Sequence, residues 1–477
     1  MTTKALCIHG HFYQPPREDP LTAEIPHEEG AAPFPNWNER IYDHCYAPNA
    51  RLKNFEHLSF NVGPTLWNWM FEQHADTCAA IVAQEHINWE RYGVSNAMAQ
   101  PYNHSILPLA SKEDKLTQIR WGIEDFEFRY GHRPQGMWLP ETAVDQETLE
   151  TLLECGIEYT ILAPWQAEEL PDANRPYLAA VEGKRTLTAF FYNRELSTRV
   201  SFDPTSTVNA DEFLKNAILP QFKSKEDANG VPQLITLASD GELYGHHQPF
   251  RDKFLQHLLN GALKESGITW TYPALWLKGH PVKEKVSIKE RTSWSCPHGV
   301  ARWAGPCGCT PHGKWKLGLR SGLDALAQQL DLVYLDTLKP ILKAPWELRH
   351  RYIQVLHGQK QLVELLAELG GPSLPSATQS RIEVLLAAQV ERQRMFTSCG
   401  WFFEDFDRIE PKNNVRYAAQ AVWLTKLATG IDLSAQAVEE LQPVKSWKSG
   451  LRADEVFCRH LERAEKLTKE FRATRGY

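Results

Sequence analysis

From Ala5 to about Pro281, short apolar runs alternate with longer amphipathic stretches. Ala5–Ile8 has the pattern of a buried strand and ends in the polar cluster His9-Gly10-His11. Leu58–Val62 repeats the pattern and is closed by Gly63-Pro64; Asn96–Tyr102 offers a third run, followed by Asn103-His104. Lys112–Tyr130 predicts a helix, because Leu116, Ile119, Ile123 and Phe126 fall on one helical face and Gly131 then stops it. Gly136–Leu139 predicts a strand ending in Pro140-Glu141-Thr142, and Gln146–Glu154 a helix ending at Gly156. Tyr159–Leu162, Thr188–Tyr192 and Leu234–Ala238 continue the series of strands. Strands alternating with helices imply parallel βα units, an α/β fold whose chemistry gathers at the C-terminal strand ends. Polar residues recur at those ends: His9, His11, Asn61, His104, Glu141, Asp240 and Glu242.

After Pro281 the pattern changes. A stretch rich in Cys, His and Trp, Ser293–Trp315, leads into helical patterns at Gly322–Leu338, Trp346–Leu369, Ser380–Phe396 and Asn414–Ala428. Ile382, Leu385, Leu386, Ala388 and Val390 have the spacing of a packed helix face, while Gly370-Gly371-Pro372 breaks two helices apart. The segment from Ser449 to the C-terminus predicts a charged helix with a solvated face. The pattern predicts a helical domain following an α/β one.

Composition narrows the function classes. In 477 residues, 42% are hydrophobic, enough for a sizeable core, and the net charge of −7 leaves no basic footprint for nucleic acid. No run approaches the roughly 18 apolar residues of a membrane span, and the N-terminus lacks the apolar core of a signal peptide. Nine cysteines in such a chain read as reduced thiols, which predicts a cytoplasmic location. The aromatic share, 11% with 16 Trp, suits a ligand with apolar faces and polar edges, such as a sugar.

Two motifs carry carboxylates. Gly136-Met137-Trp138-Leu139-Pro140-Glu141 and Ser239-Asp240-Gly241-Glu242-Leu243-Tyr244 each put acids directly after a predicted strand, beside aromatic residues. Two acids on separate strand ends suit glycoside hydrolysis, in which one protonates the leaving oxygen and the other attacks the anomeric carbon or activates water. The same positions also suit helix N-caps or surface acids.

Four segments in order resemble glycoside hydrolase family 57. Ile8-His9-Gly10-His11-Phe12-Tyr13-Gln14-Pro15-Pro16-Arg17 is similar to that family's opening motif, and Phe60-Asn61-Val62-Gly63 to its second region. Trp138-Leu139-Pro140-Glu141 resembles the third, and Ser239 through His246-His247 the fourth. The segments Ser293–Gly299 and Thr397–Phe403 resemble a branch of the family with a distinctive C-terminal helical extension. The resemblance implies an incomplete seven-stranded (β/α) barrel over residues 1–285 and an all-α bundle over 286–477, whose Cys/His-rich segment completes the cleft. It implies retaining chemistry on an α-glucan or malto-oligosaccharide, of amylase, 4-α-glucanotransferase or branching type, with no cofactor needed for catalysis. Carried over, Glu141 is the nucleophile and Asp240 the general acid/base, with Glu242 a rival for the second role. His9, His11 and Gln14 are expected at the sugar, with His246 near the site. Trp138, Tyr244, Trp294, Trp303 and Trp401 are expected as stacking platforms. Two departures stand out: the inserted Phe12-Tyr13, and Gly63 where many members have Glu.

The histidines leave a second reading open. His9 and His11, one residue apart, also suit a metal, which would make the chain a metal-dependent polysaccharide deacetylase. A carbohydrate-binding relative without catalysis is a third reading. Separately, Cys296, His298, Cys307 and Cys309, with His312 close by and Cys399 in the other unusual motif, offer ligands for a structural zinc, although Cys-x-His and Cys-x-Cys are tighter than the usual finger spacing. The alternative is a set of buried thiols beside tryptophans. Oligomeric state is left open by the sequence.

Overall fold

The structure, a computed structural model, describes residues 3–181 and 185–475, with side chains described to residue 469. The last two residues of the expected C-terminal helix lie outside that range. The strands are β1 (Lys4–Phe12), β2 (Ser59–Val62), β3 (Tyr159–Leu162), β4 (Tyr177–Ala180), β5 (Thr186–Phe191), β6 (Gln233–Asp240), β7 (Thr269–Trp270) and β8 (Lys285–Val286).

The core is an incomplete (β/α)7 barrel. β1 runs parallel to β6 along most of its length and to β2 along its second half, while β7 joins beside Ala5 and Leu6. Two further staves are made by single parallel bridges: Phe60 to Ala97, Ala99 to Met137, and Gly136 to Tyr159. β3 then pairs in parallel with β5. Between β5 and β6 the described residues form no ladder; Asn193 N donates to Thr236 O at 2.7 Å instead. Ala5 and Cys7 on β1, Tyr159 and Ile161 on β3, Phe190 on β5, and Leu234 and Ala238 on β6 fill the interior. Because side chains alternate along a strand, the same inward faces continue to His9 and His11 on β1 and to Asp240 on β6. The barrel interior is thus apolar below and polar at its C-terminal end.

The strands at residues 5–8, 58–62, 159–162, 188–192 and 234–238 occur within one or two residues of their predicted limits, except that β1 and β6 run on through the polar clusters. The predicted strands at 96–102 and 136–139 are reduced to bridges, the second ending at Pro140, which has no N–H for a ladder. The antiparallel pairing of β4 with β5, and β8 beside β4, had no counterpart in the pattern.

The chain divides into two compact units that interleave in sequence. The first comprises Met1–Pro16, His27–Tyr102 and Asp125–Ser295; the second comprises Arg17–Pro26, Asn103–Glu124 and Cys296–Tyr477. The second unit is helical, with long helices Trp315–Leu338, Ser376–Arg394, Ile409–Thr429 and Ala453–Arg475. Ile382, Leu385, Leu386 and Ala388 on one helix and Val415, Ala418, Ala419 and Val422 on another are buried. The single helix expected over 346–369 is three, Pro345–Arg351, Ile353–Leu356 and Leu362–Glu368. Gly358, at φ +68°, breaks the second from the third. No helix among the described residues is long and apolar enough to cross a membrane.

Candidate active site

The strand register brings the polar strand ends together. His11 is opposite Asn61 on β2 and opposite Asp240 on β6, so three adjacent strands present an imidazole, an amide and a carboxyl side by side. His9 is wholly buried: its Nδ1 lies 2.9 Å from Ser59 Oγ and its Nε2 3.2 Å from Asn61 Oδ1. His11 Nδ1 also meets the Asn61 amide, which in turn donates to Gln100 Oε1 at 2.8 Å. Both rings stack on Trp138, with centroids 4.6 and 5.2 Å away. Burial lowers the His9 pKa to about 3, with help from His11, and lowers that of His11 to about 4. Both imidazoles are therefore neutral hydrogen-bonding groups near neutral pH. Among the described residues they join no cluster of three or more metal-binding side chains.

Glu141 lies in a tight turn after the stave that carries Trp138. Its backbone is left-handed, φ +57°, as is that of Thr142, φ +46°. Such a conformation costs a non-glycine residue about 1–2 kcal/mol, so the surroundings must hold it. They do: Trp294 N donates to Glu141 O at 3.0 Å. Gln166 Nε2 donates to Thr142 O, and Gln166 Oε1 accepts from Thr142 Oγ1, both at 2.8 Å. The Glu141 carboxylate accepts on Oε2 from Ser295 Oγ at 2.6 Å and from Trp294 Nε1 at 3.1 Å. Ser295 and Gln166 were not singled out from the sequence, because their role depends on contacts 154 and 24 residues away along the chain.

Asp240, the last residue of β6, is exposed to solvent although protein surrounds it at the strand end. Burial within that mass, and then the charge of Glu141, raise its pKa to about 7. Glu242 behaves otherwise. It is buried, and its Oε1 accepts from Tyr46 Oη at 2.7 Å and from Tyr13 N at 3.0 Å. Burial and Asp240 push its pKa to about 8. It is a brace between the end of β1 and the turn after β6, and Asp240 alone of the two reaches solvent.

Several expected sugar contacts are packed inside. Trp138, Tyr244, Trp303 and Trp401 are at most 2% exposed and present no free face, so their rings serve as core rather than as platforms. Trp138 is covered by the two histidines and by Trp294, and Tyr244 Oη is hydrogen-bonded to Ser239. Trp401 Nε1 donates to Lys316 O in the second unit. Gln14 is buried and hydrogen-bonded to Tyr46. Trp294 is only half-buried and touches Glu141 directly. His246 packs against Trp37, His44 and His247, and burial lowers its pKa to about 4.

The two departures in the motifs are one structural fact. A Cβ on Gly63 would stand 2.6 Å from Tyr13 Cδ2 and 3.1 Å from Gln100 Nε2. The inserted tyrosine fills the space that a side chain at position 63 would need, and glycine is required there for room rather than for its φ.

A family model described as "Glycosyl hydrolase family 57" matches residues 32–287, and one described as "Domain of unknown function (DUF3536)" matches residues 312–469. A 4-alpha-glucanotransferase of Thermococcus litoralis is 26% identical over 221 residues, 43% of this chain and 30% of that protein. Alpha-amylase 1 of Dictyoglomus thermophilum is 24% identical over 216 residues, 43% of this chain and 29% of that one. These matches span less than a third of the curated relatives' length. Among solved structures, an exo-type maltose-forming amylase from Pyrococcus sp. ST04 superposes with a TM-score of 0.76 at 14% identity, covering 96% of this chain and 88% of that one. A branching enzyme from Pyrococcus horikoshii gives 0.62 at 15% identity, covering 92% and 94%.

Proposed function

The chain belongs to glycosyl hydrolase family 57, and from that premise we propose that it cleaves α-1,4-glucosidic bonds of an α-glucan or malto-oligosaccharide by double displacement. Glu141 attacks the anomeric carbon while Asp240 gives its proton to the departing glycosidic oxygen, leaving a glycosyl ester on Glu141. Asp240 then takes a proton from water or from an incoming sugar hydroxyl, which displaces Glu141 from the sugar. Water makes the enzyme an amylase, and a sugar hydroxyl makes it a glucanotransferase or branching enzyme. No cofactor enters either step.

One observation carries the reading. Asp240 is a solvent-reached carboxyl whose pKa stands near 7 because it is enclosed and faces Glu141, which is the condition for a carboxylic acid to hold a proton for a leaving group near neutrality. The bonds from Ser295 and Trp294 to Glu141 support the complementary role, since two donors on one oxygen orient the carboxylate and stabilise its ionised form. The neutral pair His9 and His11, held by Asn61, suits hydrogen bonding to sugar hydroxyls more than ligation of a catalytic metal.

Maltoheptaose and amylose, with products resolved by length and linkage, test the proposal. Shorter products alone indicate hydrolysis, longer ones as well indicate transfer, and new α-1,6 linkages indicate branching. Glu141→Gln should abolish turnover while glucan binding persists. Turnover retained in that variant would remove Glu141 from the chemistry.

A further inference from the structure

Four side chains that the proposed reaction does not use converge in the second unit. Cys296, His298, Cys307 and Cys309 each bring one donor atom within 4.8 Å of all the others. Cys296 Sγ lies 3.4 Å from Cys307 Sγ and 3.8 Å from Cys309 Sγ; His298 Nδ1 lies 3.2 Å from Cys307 Sγ and 3.4 Å from Cys309 Sγ. A tetrahedral zinc, with Zn–S of about 2.3 Å and Zn–N of about 2.0–2.1 Å, needs edges of about 3.8 Å between sulfurs and about 3.5 Å between sulfur and nitrogen. The four distances match those edges or fall short of them by up to about 0.4 Å. A disulfide would use two of the sulfurs at about 2.05 Å and leave the third sulfur and the imidazole without a task.

From this arrangement we infer that Cys296, His298, Cys307 and Cys309 form a closed Cys₃His site for one structural zinc ion. The tight spacing that argued against zinc in the sequence is resolved by the choice of nitrogen. Nδ1, the ring nitrogen nearer the backbone, is the one that faces the sulfurs, so a single residue between Cys296 and His298 suffices. Gly308 serves the same approach: a Cβ there would meet His298 Cε1 at 3.3 Å. The Cys307-Gly308-Cys309 turn is closed by Thr310 N donating to Cys307 O at 2.9 Å. Backbone N–H groups also point at sulfur, that of Cys309 at Cys307 and those of His298 and Arg302 at Cys296. Such donors orient metal-bound thiolates and stabilise their charge.

Charge balance fits as well. Zinc with three thiolates and a neutral imidazole carries −1, and Lys316, fully buried within electrostatic reach of all three sulfurs, and Arg302, within reach of Cys307, supply positive charge to offset it. Lys316 Nζ lies 3.2 Å from Thr310 Oγ1. A buried ammonium is costly unless an opposite charge faces it. Four protein ligands leave no open position, which marks a structural ion and not a catalytic one. The ligands span a segment whose regular structure is the single turn Ala301–Ala304, and the ion would do there what a hydrophobic core does elsewhere. His312 stacks on Trp447 at 4.3 Å and is not one of the four, and neither is Cys399. The other compact His/Glu group, Glu85, His86 and His132, is of a different kind: His86 Nε2 donates to Tyr130 O at 2.8 Å and is taken.

The full-length chain, purified reduced and without chelator, should carry one zinc per molecule by elemental analysis. Cobalt-loaded chain should show thiolate-to-cobalt charge transfer and the intense visible bands of a tetrahedral site. Cys307→Ser with Cys309→Ser should lose both, while Cys458→Ser, a thiol outside the cluster, should keep them. Reduced wild-type chain with no zinc and no tetrahedral cobalt spectrum overturns the site, and this holds even where the double variant is insoluble. Zinc retained by a soluble double variant overturns the ligand set, and iron found in its place overturns the choice of metal. None of these readouts depends on what the barrel catalyses.

Discussion

At the scale of single residues, the site is governed by what encloses each carboxyl. Asp240 and Glu242 are two residues apart, yet one reaches solvent and the other is held by Tyr46 and the Tyr13 amide. With its pKa raised to about 7, Asp240 is half-protonated near neutrality. The acid form drives the first displacement, so kcat/KM should fall as pH rises through about 7, by tenfold per unit on the alkaline side. Removing the Glu141 charge removes the second cause of the shift. In Glu141→Gln the Asp240 carboxyl, followed by carbon NMR, should titrate at lower pH than in the parent. An unchanged titration would mean that enclosure alone sets it. The sequence marked both acids because each follows an apolar run, but exposure was not legible in it. For the same reason the tryptophans could be counted yet not sorted into core and platform. A ring beside a catalytic motif stacks equally well on two histidines, as Trp138 does.

At the scale of elements, the existence of β1, β2, β3, β5 and β6 was readable because each is a short apolar run closed by polar or turn-forming residues, the pattern of a buried parallel strand. The staves at 97–99 and 136–139 were harder, since a single bridge leaves almost no periodicity to detect. Harder still was the meeting of the end of β1 with the residue after β2. Gly63 and Tyr13 compete for one volume, so substitutions there should not be additive. Gly63→Ala should destabilise by about 1–3 kcal/mol, the usual cost of overpacking, and adding Tyr13→Ala should recover part of that loss. A double-mutant cycle on chemical denaturation midpoints checks it; strict additivity of the two changes would show that the ring yields freely.

At the scale of the molecule, the second unit is stitched from three stretches of chain, and its stability rests on charge as well as on apolar packing. Asp114 forms ion pairs with Arg349 Nη2 at 3.1 Å and Arg392 Nη1 at 2.8 Å, and Asp331 pairs with both arginines as well. Arg349 is fully buried and stacks over Trp346. The two arginines outweigh burial and hold the Asp114 carboxyl well below its ordinary range. A depressed carboxylate pKa contributes stability that is present above the unfolded value, near 3.9, and is lost as pH falls through the folded one. Asp114→Asn should therefore cost about 3–5 kcal/mol at neutral pH, as breaking a buried pair does. The deficit should shrink below about pH 4, which thermal melts across pH can follow. The excursion that carries Asp114, residues 103–124, had no mark of composition or punctuation to set it apart, because its partners lie more than 200 residues downstream.

The register of β1 also has a consequence for how the protein is made. β1 leaves the ribosome before the other described strands, and its longest partner, β6, begins at Gln233. At about 5–20 residues per second, the apolar Ala5–Ile8 segment waits on the order of tens of seconds before the strand that covers it exists. Pairings so distant in sequence also close slowly once both halves are present. An apolar strand left uncovered for that time is open to misassembly, so slowing translation between β1 and β6 is expected to lower the yield of folded chain.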